Sequence, residues 1–247
     1  MAASSRIIAV GLAVCLLVLL PVGGDSAKQR KPRFKIVERT YVSEPFISLP
    51  GVNTASRYPD SVEVHGRADA KLIDVDLLFF ELSHDTPKDL DILLVAPDGR
   101  SALVMGDAGG ASAVNGIDLT LDDDAKRALP SAGAISARSY RPANHDDSVV
   151  LAASVPGEDG VPGEPGEPGE DAGPGAPGEP GTPGGNNGED SDEFPAPAPA
   201  PGEAVALSTF RGIDPTGEWQ LFIRADGPGA GTLTGGWGLR ITTKRPR

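Results

Sequence analysis

Lys71-Leu72-Ile73-Asp74-Val75-Asp76-Leu77-Leu78-Phe79-Phe80-Glu81-Leu82 alternates apolar and polar residues, placing Ile73, Val75, Leu77 and Phe79 on one face. A two-residue period over this length describes a strand with one side buried, because successive side chains in extended backbone point to opposite faces. The same pattern recurs on both sides. Upstream, Ser61-Val62-Glu63-Val64-His65 alternates. Downstream, Leu90-Asp91-Ile92-Leu93-Leu94-Val95 runs into Ala96-Pro97-Asp98-Gly99, a turn in which proline presets φ and glycine accepts a positive one. Ser101-Ala102-Leu103-Val104-Met105 returns, so 90–105 is predicted as a hairpin, and Ile117-Asp118-Leu119-Thr120-Leu121 supplies another strand.

Further along, Glu218-Trp219-Gln220-Leu221-Phe222-Ile223-Arg224 sets Trp219, Leu221 and Ile223 on one side, and Gly236-Trp237-Gly238-Leu239-Arg240-Ile241 does the same for Trp237, Leu239 and Ile241. Ala225 to Gly235 between them is a glycine-rich turn region. No segment carries a convincing 3.6-residue apolar period. Short strands punctuated by Gly and Pro predict an all-β chain, an antiparallel sandwich or barrel.

Between these strand blocks the composition changes. Glycine falls at 157, 160, 163, 166, 169, 175, 178, 181 and 184, with Ala172 alone breaking the register, and prolines mostly fill the third place. This is the Gly-X-Y period of collagen, in which only glycine fits the crowded axis of three wound chains. Ala172 would sit on that axis, and both ends of the run lead back into strand-like sequence, which favours a disordered loop over a trimer. From Gly157 to Glu193 there are eleven acids and no Lys or Arg. Subtracting −11 from the chain's −13 leaves −2 for everything else, so the acidity belongs to this self-repelling insertion.

The chain is 247 residues long, with 32 Gly, 24 Pro and one Cys. A single cysteine excludes an internal disulfide or a four-cysteine metal site. The negative balance argues against a nucleic-acid partner, which selects a basic surface. Residues 1–24 have the three parts of an export signal: Arg6, an apolar run from Ile7 to Leu20, and small residues at Gly23-Gly24. The run is shorter than the ~20 residues that span a bilayer as a helix, so a secreted product is expected, the alternative being an uncleaved anchor. The only expected membrane contact is through this signal. Cys15 lies inside it and is apolar filler. Residues 25–45 form a basic linker with Lys28, Arg30, Lys31, Arg33 and Lys35. It is either a solvated leader or a hook for an anionic cell-surface polymer.

The segment order resembles the P domain, or P/Homo B module, found beside subtilisin/kexin-like serine endopeptidases. The resemblance is carried by Asp89-Leu90-Asp91-Ile92-Leu93-Leu94, Pro97-Asp98-Gly99, Gly217-Glu218-Trp219-Gln220-Leu221 and Gly235-Gly236-Trp237-Gly238-Leu239-Arg240-Ile241. Phe194-Pro195-Ala196-Pro197-Ala198-Pro199 and the stretch Leu207 to Gly217 are similar to a bacterial branch of that family. The resemblance covers some three fifths of the chain and implies a jelly-roll-like antiparallel β-sandwich. Residues 46–146 are its first part, 147–191 the acidic collagen-like insertion, and 192–243 its second part.

Modules of this kind stabilise a catalytic neighbour, often with calcium dependence. Here no Gly-x-Ser nucleophile segment accompanies separate Asp and His blocks, and His65, His84 and His145 lack serine contexts, so no enzymatic activity is expected. The expectation is a secreted, non-catalytic module that binds or stabilises an extracellular protein partner, a subtilisin-like protease being one candidate. The alternative is a surface adhesive or structural protein that uses the collagen-like stretch for display or trimerisation.

Calcium takes several oxygen ligands from loops. Asp89 and Asp107 are the candidate calcium ligands, since both lie at strand ends in family-like segments. The competing reading is that each accepts hydrogen bonds from its own turn. Asp98, Asp214 and the run Asp122-Asp123-Asp124 read as turn formers. Trp219 and Trp237 are expected in the core, the alternative being sugar-stacking platforms. Asp74 and Asp76 mark either a solvent face or a paired polar spot.

Overall fold

The computed structural model describes residues 33–43, 45–67, 69–145 and 193–247. The export signal and the collagen-like insertion lie outside the described residues. Thirteen strands form two sheets, with no α-helix among the described residues. The first strands are β1 (Phe34–Ser43), β2 (Ile47–Leu49), β3 (Asn53–Thr54) and β4 (Asp60–Val64). Next come the long β5 (Lys71–His84) and the hairpin of β6 (Leu90–Val95) and β7 (Ser101–Gly106). β8 (Val114–Leu121), β9 (Arg138–Tyr140) and β10 (Ala143–Asn144) complete the first part. The second part adds β11 (Gly217–Ala225), β12 (Gly231–Leu233) and β13 (Trp237–Pro246).

One sheet runs β1-β13-β5-β12-β2, with β8 on the free side of β5 and β9 beside β8; the other runs β10-β7-β6-β11-β3, with β4 also on β11. The chain crosses between the sheets repeatedly, in the manner of a jelly roll. Pairing is antiparallel apart from the short contacts of β7 with β10 and β8 with β9, which are parallel. The sheets are therefore mixed, a refinement of the purely antiparallel sandwich expected.

The inner faces of both sheets share one apolar interior. Leu77 and Phe79 of β5, Ile92 and Leu94 of β6, Trp219 of β11 and Trp237 of β13 all belong to it. β5 pairs with β13 from Phe79↔Trp237 to Lys71↔Lys244, and β6 pairs with β11 from Val95↔Gln220 to Leu90↔Ala225. Both parts of the sequence thus fold as one unit, 33–145 together with 193–247.

All six residues of β6 are buried, because the outer face of its sheet is covered as well. Leu93, Val95 and Leu103 meet Phe222 there, and Phe194 lies across them. Tyr58 packs edge-on to Phe222 at 5.1 Å and donates its hydroxyl to Pro195 O at 2.9 Å. The segment following the insertion is fastened to the sandwich at its first residues.

Two local findings differ from the sequence reading. Residues 34–43, read as part of a basic linker, form β1 and pair with β13 over all ten residues, from Phe34↔Pro246 to Ser43↔Trp237. The charged residues hid a real alternation, in which Tyr41 and Ser43 are buried. Ile73 is not in the core. Thr242 pairs with Asp74 and Thr243 with Leu72, so Ile73 is the extra residue of a bulge and Leu72 takes the inward place. A second shift between Phe79 and Leu82, where Glu81 has φ 53°, turns Leu82 inward.

Candidate functional site

Asp89 closes a short 3-10 turn, Pro87–Asp89, at the start of β6. Only 4% of it is exposed, and the loop between β11 and β12 wraps over it. Its Oδ2 accepts the Gly229 amide at 2.9 Å, and its carbonyl accepts the Asp226 amide at 3.0 Å. A methyl group on Gly227 would lie 2.3 Å from the Asp89 carboxyl carbon, and one on Gly229 2.8 Å from its Oδ2. Glycine is needed at both places because the backbone itself lies against the carboxylate. This joins the two sides of the insertion over 140 residues of sequence.

His84, at the end of β5, borders the same place. Its Nδ1 accepts the Thr86 amide at 3.2 Å, which puts the ring proton on Nε2, an atom with no partner among the described residues. Burial pushes the imidazole below its usual range, against the pull of Asp89 and Asp85, so the ring is neutral at physiological pH.

Asp107 follows β7 in a left-handed conformation, φ 48°. Its loop adjoins the turn of Asp89: the Lys88 amide donates to Gly110 O at 3.3 Å, and a methyl on Gly109 would lie 3.0 Å from Pro87 Cβ. The two candidate calcium ligands therefore stand in neighbouring loops. Among the described residues, however, no three His, Cys, Asp or Glu side chains converge as a metal-holding group.

The remaining aspartates resolve into local tasks. Asp98 Oδ1 accepts the Arg100 amide and Asp214 Oδ1 the Thr216 amide, as expected of turn formers. Asp122 does the same for Asp124. Asp123 does more, accepting the amides of Leu207 and Ser208 at 3.0 and 2.7 Å and so fastening the second part of the chain to the first. Nothing local in the sequence signals this partner 84 residues away.

Asp76 proves to be a paired polar spot. Arg240 Nε donates to its Oδ2 at 2.7 Å, while Oδ1 is buried with no partner among the described residues. Burial outweighs Arg240 and lifts the carboxyl to about 6. Asp91 of β6 is buried beside Arg224 of β11 at 3.5 Å. Both tryptophans are fully buried: Trp219 Nε1 donates to Pro215 O at 2.9 Å and Trp237 Nε1 to Asp60 Oδ2 at 2.8 Å.

One concave feature lies at the end of the sandwich where β1 and β13 face the end of β4. It is a small, open cleft of about 60 Å³. Half-buried Val37 and exposed Arg39 of β1, with Arg67 and Arg245, line it, and the buried Val64 and Ile241 lie behind. Tyr41 closes its inner end, donating its hydroxyl to His65 O at 2.5 Å. Arg67 and Asp69 form a two-pronged ion pair at 3.0 and 3.3 Å on the exposed rim. The hydrogen bond from Arg67 holds the Asp69 carboxyl below the usual range, and Arg245 adds to the effect. Sequence reading missed the cleft because its residues come from four separate segments, around 37–41, 64–70, 215 and 241–245.

Neither a scan of protein-family models nor searches of curated proteins and of solved structures return a match to this chain.

Proposed function

We propose that this chain is a secreted, non-catalytic module of P/Homo B type that binds or stabilises an extracellular protein partner. What supports the reading is the way the family-like segments assemble. The Asp89–Leu94 and Gly217–Leu221 segments become the adjacent central strands β6 and β11, and the Gly235–Ile241 segment becomes β13 in the facing sheet. A resemblance drawn from segments more than 120 residues apart in sequence thus corresponds to one continuous set of strands around one core.

The test uses the full chain and a co-secreted subtilisin-like protease, the partner class that the resemblance implies. Immobilised chain is expected to retain the protease and to lengthen its half-life on heating, because a ligand that binds only the native state raises its stability. Equal inactivation with and without the chain, together with no retention, would remove the reading.

A further inference from the structure

We propose that the cleft beside β1 and β13 receives an acidic peptide segment of the protein partner, its carboxylates set against Arg39, Arg67 and Arg245. This rests on the partner-binding reading above and names the surface and the chemistry it selects.

Three arginines, Arg39, Arg67 and Arg245, line this cleft, and Asp69 is the rim carboxylate among the described residues. Lys35 pairs with Arg245 across β1 and β13 and shares its face, adding a fourth cation beside the opening. Glu38 and Glu63 alternate onto the outer faces of their strands, away from the cleft. Arg67 and Asp69 are both exposed, and an ion pair at the surface exchanges readily with an incoming carboxylate. Among the described residues, Arg39 makes a long contact of 3.5 Å with His65 O. Guanidinium groups match carboxylates through two parallel hydrogen bonds, which suits a peptide acid.

Val37 is the half-buried apolar residue beneath the cationic rim, with the core residues Val64 and Ile241 behind it. The only phenol ring in the lining, Tyr41, is 5% exposed and its hydroxyl is already engaged, so no phenol or indole face is presented to a sugar ring. This favours a peptide over an anionic polysaccharide.

The experiment must separate such a partner from the chain's own acidic insertion. Its flanks are fixed at the other end of the sandwich: the His145 amide donates to Gly106 O, and Arg224 donates to Glu193 O. The cleft lies beyond Gly217, where β11 meets Val64. Gly217 and Arg224 are separated by seven residues of extended strand, on the order of 24 Å.

The experiment is fluorescence anisotropy with the full chain and a labelled peptide alternating Glu and Pro around a central Leu. Its Gln counterpart serves as control, at about 50 and about 300 mM salt. The Glu peptide is expected to bind, more weakly at the higher salt, and the Gln peptide about tenfold less tightly or worse. Arg39→Ala with Arg245→Ala should reduce binding about tenfold or more without moving the melting temperature, since both side chains lie on the rim. Arg39→Gln with Arg245→Gln provides a second variant should the first fail to fold. Equal binding of the two peptides, or unchanged binding by the arginine variants, overturns the proposal.

Two further outcomes also overturn it. One is arginine-dependent binding of a sulfated polysaccharide with no binding of the peptide. The other is about tenfold tighter peptide binding once the eleven acids between 157 and 193 are changed to amides, which would put the chain's own segment in the cleft. Protease retention that persists in the arginine double variant would sink this proposal and leave the partner-binding reading standing. Failure of the wild-type chain to retain protease, with peptide binding intact, would do the reverse.

Discussion

At the scale of single residues, Asp89 shows how one carboxylate organises a junction. It is nearly inaccessible, and two amides from the β11–β12 loop end on it. Asp89→Ala should cost about 2–3 kcal/mol in urea unfolding, because the buried Gly229 amide would lose a charged acceptor. Gly227→Ala should destabilise by about 1–3 kcal/mol by forcing the loop off that carboxylate. Melting curves in calcium and in chelator test Asp89 and Asp107 as ligands: a rise of several degrees in calcium supports that role, and coinciding curves remove it. Asp76 gives a pH signature. Its carboxyl is raised in the folded chain to about 6, above its unfolded value. The folded state therefore holds this proton more tightly, and the stability it contributes is lost as pH rises from 4 through 6. Asp76→Asn removes that titration, so the variant should gain stability relative to wild type between pH 4 and pH 7, read as the difference in unfolding midpoint. Turn aspartates such as Asp98 and Asp214 were legible because their partners lie two residues away. Asp89 and Asp123 were not, because their acceptors serve loops more than 80 residues distant.

Among the elements, those with clean alternation were legible and those with irregularities were not. Trp219-Leu221-Ile223 and Trp237-Leu239-Ile241 point inward as their spacing requires. β5 obeys the same rule only between its bulges, which is why Ile73 and Leu72 exchange places. A bulge depends on the partner strand, and one strand read alone carries no sign of it. β1 was hidden by Lys35, Glu38 and Arg39, whose long stems tolerate an open sheet face. Deleting residues 34–43 separates the two readings. Loss of a linker would leave stability unchanged, whereas loss of β1 exposes the whole edge of β13, including the backbone beside Trp237. A lower unfolding midpoint and self-association in size-exclusion chromatography are expected, as for any long edge left unpaired.

For the molecule as a whole, the sandwich was readable because both strand blocks carry the same two-residue period, and both contribute to one interior. The cleft was not readable, because it is assembled from β1, β13 and the end of β4. The shared interior leads to a further expectation. A chain cut at an engineered protease site between 146 and 192 should remain one particle in native size-exclusion chromatography and separate into two fragments in denaturant. Separation under native conditions would contradict the single interior. The placement of β13 has a temporal consequence too. It lies between β1 and β5, joining residues some 200 and 160 positions earlier. Such distant pairings slow collapse to the native state, since a long loop must be closed before any contact compensates for it. On a ribosome the first sheet stays without its middle until residues 237–246 are made. A nascent chain of this design is kept loose by its own topology until synthesis reaches that point, and only then can it become resistant to proteolysis.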